Sequence, residues 1–204
     1  MTDTMHEALR GVSRADALDA ILFDRDGTLI RDVPGIADPA AVEPMPTAAD
    51  AVRLARDAGL ATGVVTNQAA LARGVVSAAE LDAVNARVDA LLGPFDVWQV
   101  CPHSPEDSCD CRKPRPGLVL EAARQLGTAP QRVAVIGDIG TDMDAARHAG
   151  AVSVLVPTPV TRPDEVAAAP LSARTLAEAV RLLLHDRGDA VAEHAHTTAA
   201  GAPS

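Results

Sequence analysis

The sequence has almost no aromatic residues. Its 204 residues include two phenylalanines, one tryptophan and no tyrosine, at positions Phe23, Phe95 and Trp98. Because 48% of the residues are nonetheless apolar, the core must be built from alanine, valine and leucine, which suits helices packed on a valine-rich sheet. The length allows one well-buried core and is too short for two ordinary domains. We therefore expect a single domain over residues 18–187, with a flexible N-terminus over 1–17.

Basic charge is also scarce. The net charge is -10, and the longest basic run is Arg112-Lys113, which argues against a surface that binds the nucleic-acid backbone. No apolar run approaches the length that spans a membrane, and residues 1–16 are polar and mixed in charge rather than basic and then apolar. We expect a cytoplasmic protein whose partner is a small molecule. The number of subunits is open, with a monomer as the working expectation.

Only three cysteines are present, and they lie in one short stretch at Cys101, Cys109 and Cys111. A disulfide framework would use an even number spread along the chain, so a metal or redox site is the better interpretation. Together with His103 they provide the four ligands of a tetrahedral Zn²⁺ site. Four protein ligands leave no position for an activated water, as a catalytic zinc site would need. We interpret the site as structural zinc, with unligated or redox cysteines as the alternative. Since Lys113 follows shortly after the last cysteine, closing the metal loop would fix its direction.

Strand and helix patterns alternate through the rest of the chain. Buried strands are predicted at residues 20–23, 60–66, 96–100, 132–136 and 152–156. Helices are predicted from 47 to 59, from a Ser77/Glu80 capping box to 93, and over 116–127, 141–149 and 175–185. Residues 29–47 and 157–170 are interpreted as loops, and 188–204 as a disordered tail. This alternation predicts an α/β fold with a doubly wound, mainly parallel sheet.

Polar residues follow three of these strands. Asp24, Thr66 and Asp138 each stand where a strand ends, and ligands of such sheets bind beyond the carboxyl ends of the strands. Asp26 adds a second carboxylate beside Asp24. A pair of carboxylates at a strand end needs a cation as partner, although an ordinary Asp-Gly turn at Gly27 is the plainer alternative.

These residue types suit phosphoryl transfer. Asp24 and Asp138 offer the hard oxygen ligands that Mg²⁺ prefers. Thr66 and Lys113 can hold a phosphoryl group as negative charge develops on it. A carboxylate nucleophile would form an aspartyl-phosphate, and Asp26 could protonate the leaving oxygen and later activate water.

The order of these residues resembles the four motifs of the haloacid dehalogenase (HAD) superfamily of phosphatases. The motifs are Asp24-Arg25-Asp26-Gly27-Thr28, Thr66, Lys113, and Gly137-Asp138 with Asp142. The resemblance implies a Rossmann-like HAD fold, with Asp24 as nucleophile and Asp26 as general acid and base. It further implies that Asp24, Asp138 and the main-chain carbonyl of Asp26 hold Mg²⁺. Asp142 is interpreted as a residue behind the ligands, with helix capping as the alternative.

The cysteine loop followed by Arg-Lys-Pro resembles the HAD subgroup that contains bacterial heptose-bisphosphate and histidinol-phosphate phosphatases. That resemblance implies a substrate-recognition role for Arg112. Neither residues 29–47 nor 101–116 are long enough for a cap domain, so we expect a capless, open site. Arg25, Asn67 and Gln68 are further candidates for substrate contact, although Arg25 is also compatible with a purely structural salt bridge.

Three functions remain open at this point. The sequence favours a Mg²⁺-dependent phosphatase for a small sugar phosphate, with heptose bisphosphate preferred. The short spacer between His103 and Cys109 is closer to the histidinol-phosphate enzymes, whereas Pro114–Gly117 is closer to the heptose enzymes. A catalytically inactive, zinc-stapled binding module is the alternative of another class. The intact catalytic set argues against it, since a binding module has no use for all of those residues.

Overall fold

The computed structural model describes residues 18–185 of the chain. The expected flexible N-terminus and disordered tail lie outside the described residues. The strands are β1 (Ala20–Phe23), β2 (Ala61–Asn67), β3 (Val97–Cys101), β4 (Val133–Gly137) and β5 (Val152–Leu155). The helices are α1 (Ala48–Asp57), α2 (Ala69–Ala72), α3 (Ala78–Leu92), α4 (Gly117–Leu126), α5 (Gly140–Ala149), α6 (Pro163–Ala168) and α7 (residues 176–185).

The five strands form one parallel sheet in the order β3-β2-β1-β4-β5. The central strand β1 pairs with β2 on one side and with β4 on the other, so that Phe23 lies between Val64 and Ile136. The carboxyl ends of these three strands therefore meet at one edge of the sheet. This arrangement confirms the predicted α/β fold.

Both faces of the sheet are covered by helices. Side chains of β1 alternate between the two faces, because successive strand residues point in opposite directions. Ile21 and Phe23 pack with α1, α3 and α7, and Ala20 and Leu22 pack with α4 and α5. The helices contribute mainly alanine, valine and leucine to both clusters, as the scarcity of aromatic residues requires.

The helix ends largely follow the local sequence. Ser77 and Glu80 form the predicted capping box at the start of α3. Thr47 is the N-cap residue of α1 but makes no side-chain capping bond; it has φ 64°, and its hydroxyl accepts a bond from the amide of Ala177 in α7. The hydroxyl thus joins two helices that are distant in sequence.

The loop predicted over residues 157–170 contains helix α6. Proline at the first position is pre-organised for a helix. The side chain of Glu165 then accepts bonds from the amides of Arg162 and, across to α5, Gly140. The short helix α2, which directly follows β2, was also not predicted.

The carboxyl edge of the sheet carries no second domain within residues 18–185. Residues 24–47 and 102–116 are loops, each with one short 3-10 turn, at Pro39–Ala41 and Pro105–Asp107. The expectation of a capless fold is therefore confirmed for the described chain.

Candidate active site

The predicted catalytic residues surround one cavity of about 430 Å³ at the carboxyl edge of the sheet. Asp24 follows β1, Thr66 lies at the end of β2, and Asp138 follows β4. Lys113 and Asp26 reach the same cavity from loops. The structure therefore brings together residues that are more than a hundred positions apart in the sequence.

Lys113 is a buried cation that lines this cavity. Its ammonium lies 2.6 Å from a carboxylate oxygen of Asp24, 2.6 Å from one of Asp142, and 2.9 Å from the carbonyl oxygen of Val65. Burial alone would lower the pKa of Lys113, but the two carboxylates outweigh it and hold that pKa above its usual range. The lysine is therefore charged; its ammonium donates to Asp24 and Val65 and forms an ion pair with Asp142.

Three buried carboxylates crowd the same space. One carboxylate oxygen from each of Asp24, Asp138 and Asp142 lies within 4.8 Å of the other two. Burial raises the pKa of Asp138 to about 7, with Asp142 adding to the effect. Burial also raises the pKa of Asp24, although Lys113 opposes it. Hard oxygen donors with excess negative charge fit a divalent cation of the Mg²⁺ type.

Asp138 is positioned by groups that the sequence did not single out. The hydroxyl of Thr158 donates to its carboxylate at 3.3 Å, and the hydroxyl of Thr161 donates to its main-chain oxygen at 2.6 Å. On the other side lies Gly27, at φ +80°, where an added Cβ would stand 2.3 Å from the Asp138 carboxylate. Any side chain at position 27 would therefore clash with the Asp138 carboxylate, so this position requires glycine.

Asp26 is held from two sides. The guanidinium of Arg25 donates to its carboxylate at 3.0 to 3.2 Å, and the amide nitrogen of Gln68 donates at 2.6 Å. Gln68 also donates to the hydroxyl oxygen of Thr66 at 2.8 Å. Since that oxygen already accepts a bond, the Thr66 proton is left to donate into the cavity.

Arg25, Asn67 and Gln68, the candidates for substrate contact, line the cavity, and their side-chain polar groups bond other parts of the protein. Arg25 is only 1% exposed and bonds Asp26 and Asn85. Asn67 bonds the main chain of Lys113 in both directions at 3.1 Å. A buried cation or amide has to be satisfied internally, which a strand-end motif does not reveal.

Two arginines remain at the rim of the cavity. Arg112 is half-buried, and one of its amino groups donates to the carbonyl oxygen of His103 at 3.2 Å. Arg73, which the sequence did not single out, lines the cavity directly after α2 and is exposed. Its main-chain N–H donates to the carbonyl oxygen of Ala69, but its guanidinium makes no hydrogen bond or ion pair with any residue in 18–185.

The cysteine loop gathers its four expected ligands. The sulfurs of Cys101, Cys109 and Cys111 lie 3.0 to 3.6 Å apart, and Nδ1 of His103 lies 3.2 Å from Cys111 and 3.6 Å from Cys101. Burial, together with the neighbouring thiols, raises the pKa of Cys111 to about 12. Three sulfurs and one imidazole at such spacing are the donor set of a structural zinc site.

The comparisons with known proteins show which family the chain belongs to. A family model described as HAD-hydrolase-like matches residues 110–183. The heptose-1,7-bisphosphate 7-phosphatase of Pseudomonas putida is 36% identical over 143 residues, which cover 68% of this chain and 82% of that protein. The chain belongs to the HAD superfamily of phosphatases.

A second relative and a solved structure of this superfamily are also similar to the chain. The enzyme of the same name from Salmonella typhi is 36% identical over 168 residues, which cover 76% of this chain and 89% of that protein. The crystal structure of heptose 1,7-bisphosphate phosphatase from Bordetella bronchiseptica, complexed with magnesium and phosphate, matches with a TM-score of 0.74 and 29% identity. That match covers 83% of this chain and 99% of the other.

A membrane-spanning element is not found in the described part of this HAD chain. None of its helices between residues 18 and 185 is long and apolar enough to cross a bilayer.

Proposed function

We propose that the chain is a Mg²⁺-dependent phosphatase that removes the 7-phosphate of D-glycero-β-D-manno-heptose 1,7-bisphosphate through an aspartyl-phosphate. One observation carries the proposal: the Asp24 carboxylate lies 2.6 Å from the buried ammonium of Lys113, in a cavity shared with Thr66, Asp26 and Asp138. The relatives that bear this enzyme's name cover most of the chain, which supports the choice of substrate.

The residues divide into nucleophile, acid and clamp. A carboxylate oxygen of Asp24 would attack phosphorus, forming the acyl phosphate as the bond from phosphorus to the sugar oxygen breaks. Asp26 would give a proton to that leaving oxygen. The ammonium of Lys113 and the hydroxyl of Thr66 would hold phosphoryl oxygens. In the second half, Asp26 would take a proton from water, whose oxygen attacks phosphorus and releases Asp24.

The divalent ion would be held by Asp24, Asp138 and the main-chain carbonyl of Asp26. Bound there, Mg²⁺ would offset the charge of the carboxylates and of the phosphoryl group. Asp142 is better placed behind these ligands. One of its oxygens faces Lys113 at 2.6 Å, and the other accepts a bond from the amide of Ile139 at 3.3 Å.

Zinc would occupy the cluster of Cys101, His103, Cys109 and Cys111. Lys113 lies two residues after the last ligand, and Asn67 fixes its main chain from the opposite side. The ion would thus hold in place the loop that delivers both Arg112 and Lys113.

A bisphosphate fits the charges at the cavity rim. Arg112 and Arg73 line the cavity, and both keep donors that no described residue uses. A second phosphate of the substrate is a natural partner for such guanidinium groups. The open, capless rim leaves room for a whole sugar between the two phosphates.

The test is phosphate release from the heptose bisphosphate, histidinol phosphate and a panel of sugar monophosphates, with and without Mg²⁺. We expect the bisphosphate to be the best substrate, and phosphorus NMR to show that the phosphate at carbon 1 remains. Asp24→Asn should abolish release, whereas Asp57→Asn on the surface of α1 should not change it. Preference for histidinol phosphate would overturn the substrate, and turnover by Asp24→Asn would overturn the nucleophile.

A further inference from the structure

Arg25 is the largest side chain with almost no exposure in the described chain, at 1%. Arginine stays protonated in proteins, so a buried guanidinium needs acceptors on every side. On one side it bonds the Asp26 carboxylate through Nε and Nη2. On the other side Nη1 donates to the side-chain oxygen of Asn85 at 2.7 Å. No other bond from its guanidinium to a described side chain is present.

Asn85 lies on helix α3, sixty residues away in sequence. That helix is anchored by its capping box at Ser77 and by Val84 and Val88, which are fully buried in the core. The oxygen of Asn85 is therefore presented by a rigid element. An amide at this half-buried position is otherwise unexpected among the apolar contacts of the helix.

The three side chains form a line from α3 to the reacting centre. Asn85 fixes Arg25, Arg25 fixes one side of the Asp26 carboxylate, and Gln68 fixes the other side at 2.6 Å. Without Asn85, the guanidinium of Arg25 would keep its charge but lose the hydrogen bond from Nη1 that fixes it on the side away from Asp26. The Asp26 carboxylate would then keep its bond from Gln68, while its contact with Arg25 would be free to shift.

We infer that Asn85 is a positioning residue for Asp26, acting through Arg25, in the protonation of the leaving group. The inference deepens the proposed function and rests on it. Asn85 touches neither substrate nor metal in this scheme. Its effect on the first half of the reaction must therefore depend on whether the leaving oxygen needs a proton.

Leaving-group dependence tests this directly. A sugar oxygen needs a proton as it departs, whereas p-nitrophenolate does not. We expect Asn85→Leu to lower kcat/KM on the heptose bisphosphate by about tenfold or more, and kcat/KM on p-nitrophenyl phosphate by less than about twofold, because kcat/KM reports the steps up to release of the leaving group. Hydrolysis of the aspartyl-phosphate uses Asp26 with both substrates and enters only kcat. Equal losses of kcat/KM on both substrates, or no loss on the sugar phosphate, would overturn the inference.

Two matched variants separate positioning from folding. Asp82→Leu places the same side chain at an exposed position one turn earlier on α3 and should leave both rates unchanged. Asn85→Asp keeps an acceptor for Arg25 and should recover most of kcat/KM on the sugar phosphate. An Asn85→Asp enzyme as slow as Asn85→Leu would contradict the inference. Thermal unfolding of all three variants reports any loss of folding separately.

A double-mutant cycle gives an answer without the aryl substrate. In an Asp26→Asn background the proton donor is absent, so adding Asn85→Leu should cost less than about twofold further. A full second loss there would assign Asn85 to folding alone. If the heptose bisphosphate is not a substrate, the same comparison is made on whichever sugar phosphate is turned over. A wrong choice of substrate can then be distinguished from a wrong role for Asn85.

Discussion

Asn67 bonds the main chain of Lys113 in both directions. Its amide nitrogen donates to the Lys113 carbonyl oxygen, and its amide oxygen accepts from the Lys113 N–H, both at 3.1 Å. A side-chain amide paired in this way imitates a neighbouring strand. It ties the end of β2 to the loop that follows the cysteine cluster, and so sets where the lysine enters the cavity.

Replacing Asn67 should therefore act through Lys113. Asn67→Leu removes both bonds and should lower kcat by about tenfold, with a stability loss of about 2 kcal/mol from two partly buried hydrogen bonds. Asn67→Asp keeps the acceptor and loses the donor, so its effects should be intermediate. Steady-state rates and chemical denaturation measure both. An Asn67→Leu enzyme with a normal kcat would refute the role of this pairing.

Loss of the zinc site should lower activity from a distance. Cys111→Ser should reduce bound zinc well below one equivalent and lower kcat by about tenfold, because the loop carrying Lys113 is no longer fixed. Asp110→Asn changes the neighbouring exposed residue and keeps all four ligands, so it should retain zinc and activity. Metal analysis under reducing conditions accompanies the kinetic assay. Full activity without zinc would show that the cysteine cluster is not needed to position Lys113.

Gly27→Ala should disable the Mg²⁺ site with little effect on the fold. At Gly27 (φ +80°) a new Cβ meets the Asp138 carboxylate, whereas at Gly59 (φ +75°) nothing lies within 4 Å. Both substitutions should cost about 1 to 2 kcal/mol of backbone strain. Only Gly27→Ala should also weaken Mg²⁺ binding, by about tenfold or more, as measured by calorimetric titration. Equal Mg²⁺ affinity in the two variants would contradict the proposed ligand role of Asp138.

Stability without metal should fall as the pH rises. Burial raises the pKa of Asp138 to about 7 and that of Asp24 above its usual value, so the folded chain binds more protons than the unfolded chain. This stabilisation is present at low pH and lost as the pH rises through the folded pKa. Added Mg²⁺ should therefore raise the melting temperature more at roughly pH 8 than at roughly pH 5.5.

Thermal unfolding with a chelator and with excess Mg²⁺ checks this dependence. Asp138→Asn removes one titrating carboxylate and should flatten both the pH dependence and the Mg²⁺ effect. If the melting temperature without metal instead increased from the lower to the higher of those two pH values, the predicted pH dependence of stability would be wrong.

Much of the fold and the reacting centre could be predicted from the sequence. Strand ends are marked by abrupt changes from apolar to polar residues, and parallel strands bring such ends together whatever lies between them. Asp24, Thr66 and Asp138 could be placed for that reason. The metal-binding potential of the cysteine loop could also be predicted, because cysteine and histidine are rare in this chain and four of them lie close together in the sequence.

The supporting contacts could not be predicted because they depend on tertiary neighbours. Arg25 follows Asp24, and nothing in its local sequence indicates that its partner is Asn85 on a distant helix. Gln68 follows Thr66 as a substrate residue might, yet it bonds two side chains of the protein itself. Thr158, in a segment interpreted as plain loop, turns out to bond the Asp138 carboxylate.

The cavity gathers three carboxylates around a single ammonium, while Arg25 and Asp26 neutralise each other beside it. Arg112 and Arg73 at the rim attract a phosphate ester, but an ester arriving alone meets electrostatic repulsion from these carboxylates at the point where it must react. The imbalance favours an obligatory order, in which a divalent ion enters before or together with the ester. Inorganic phosphate, the product, should for the same reason be a poor inhibitor whenever the ion is withheld.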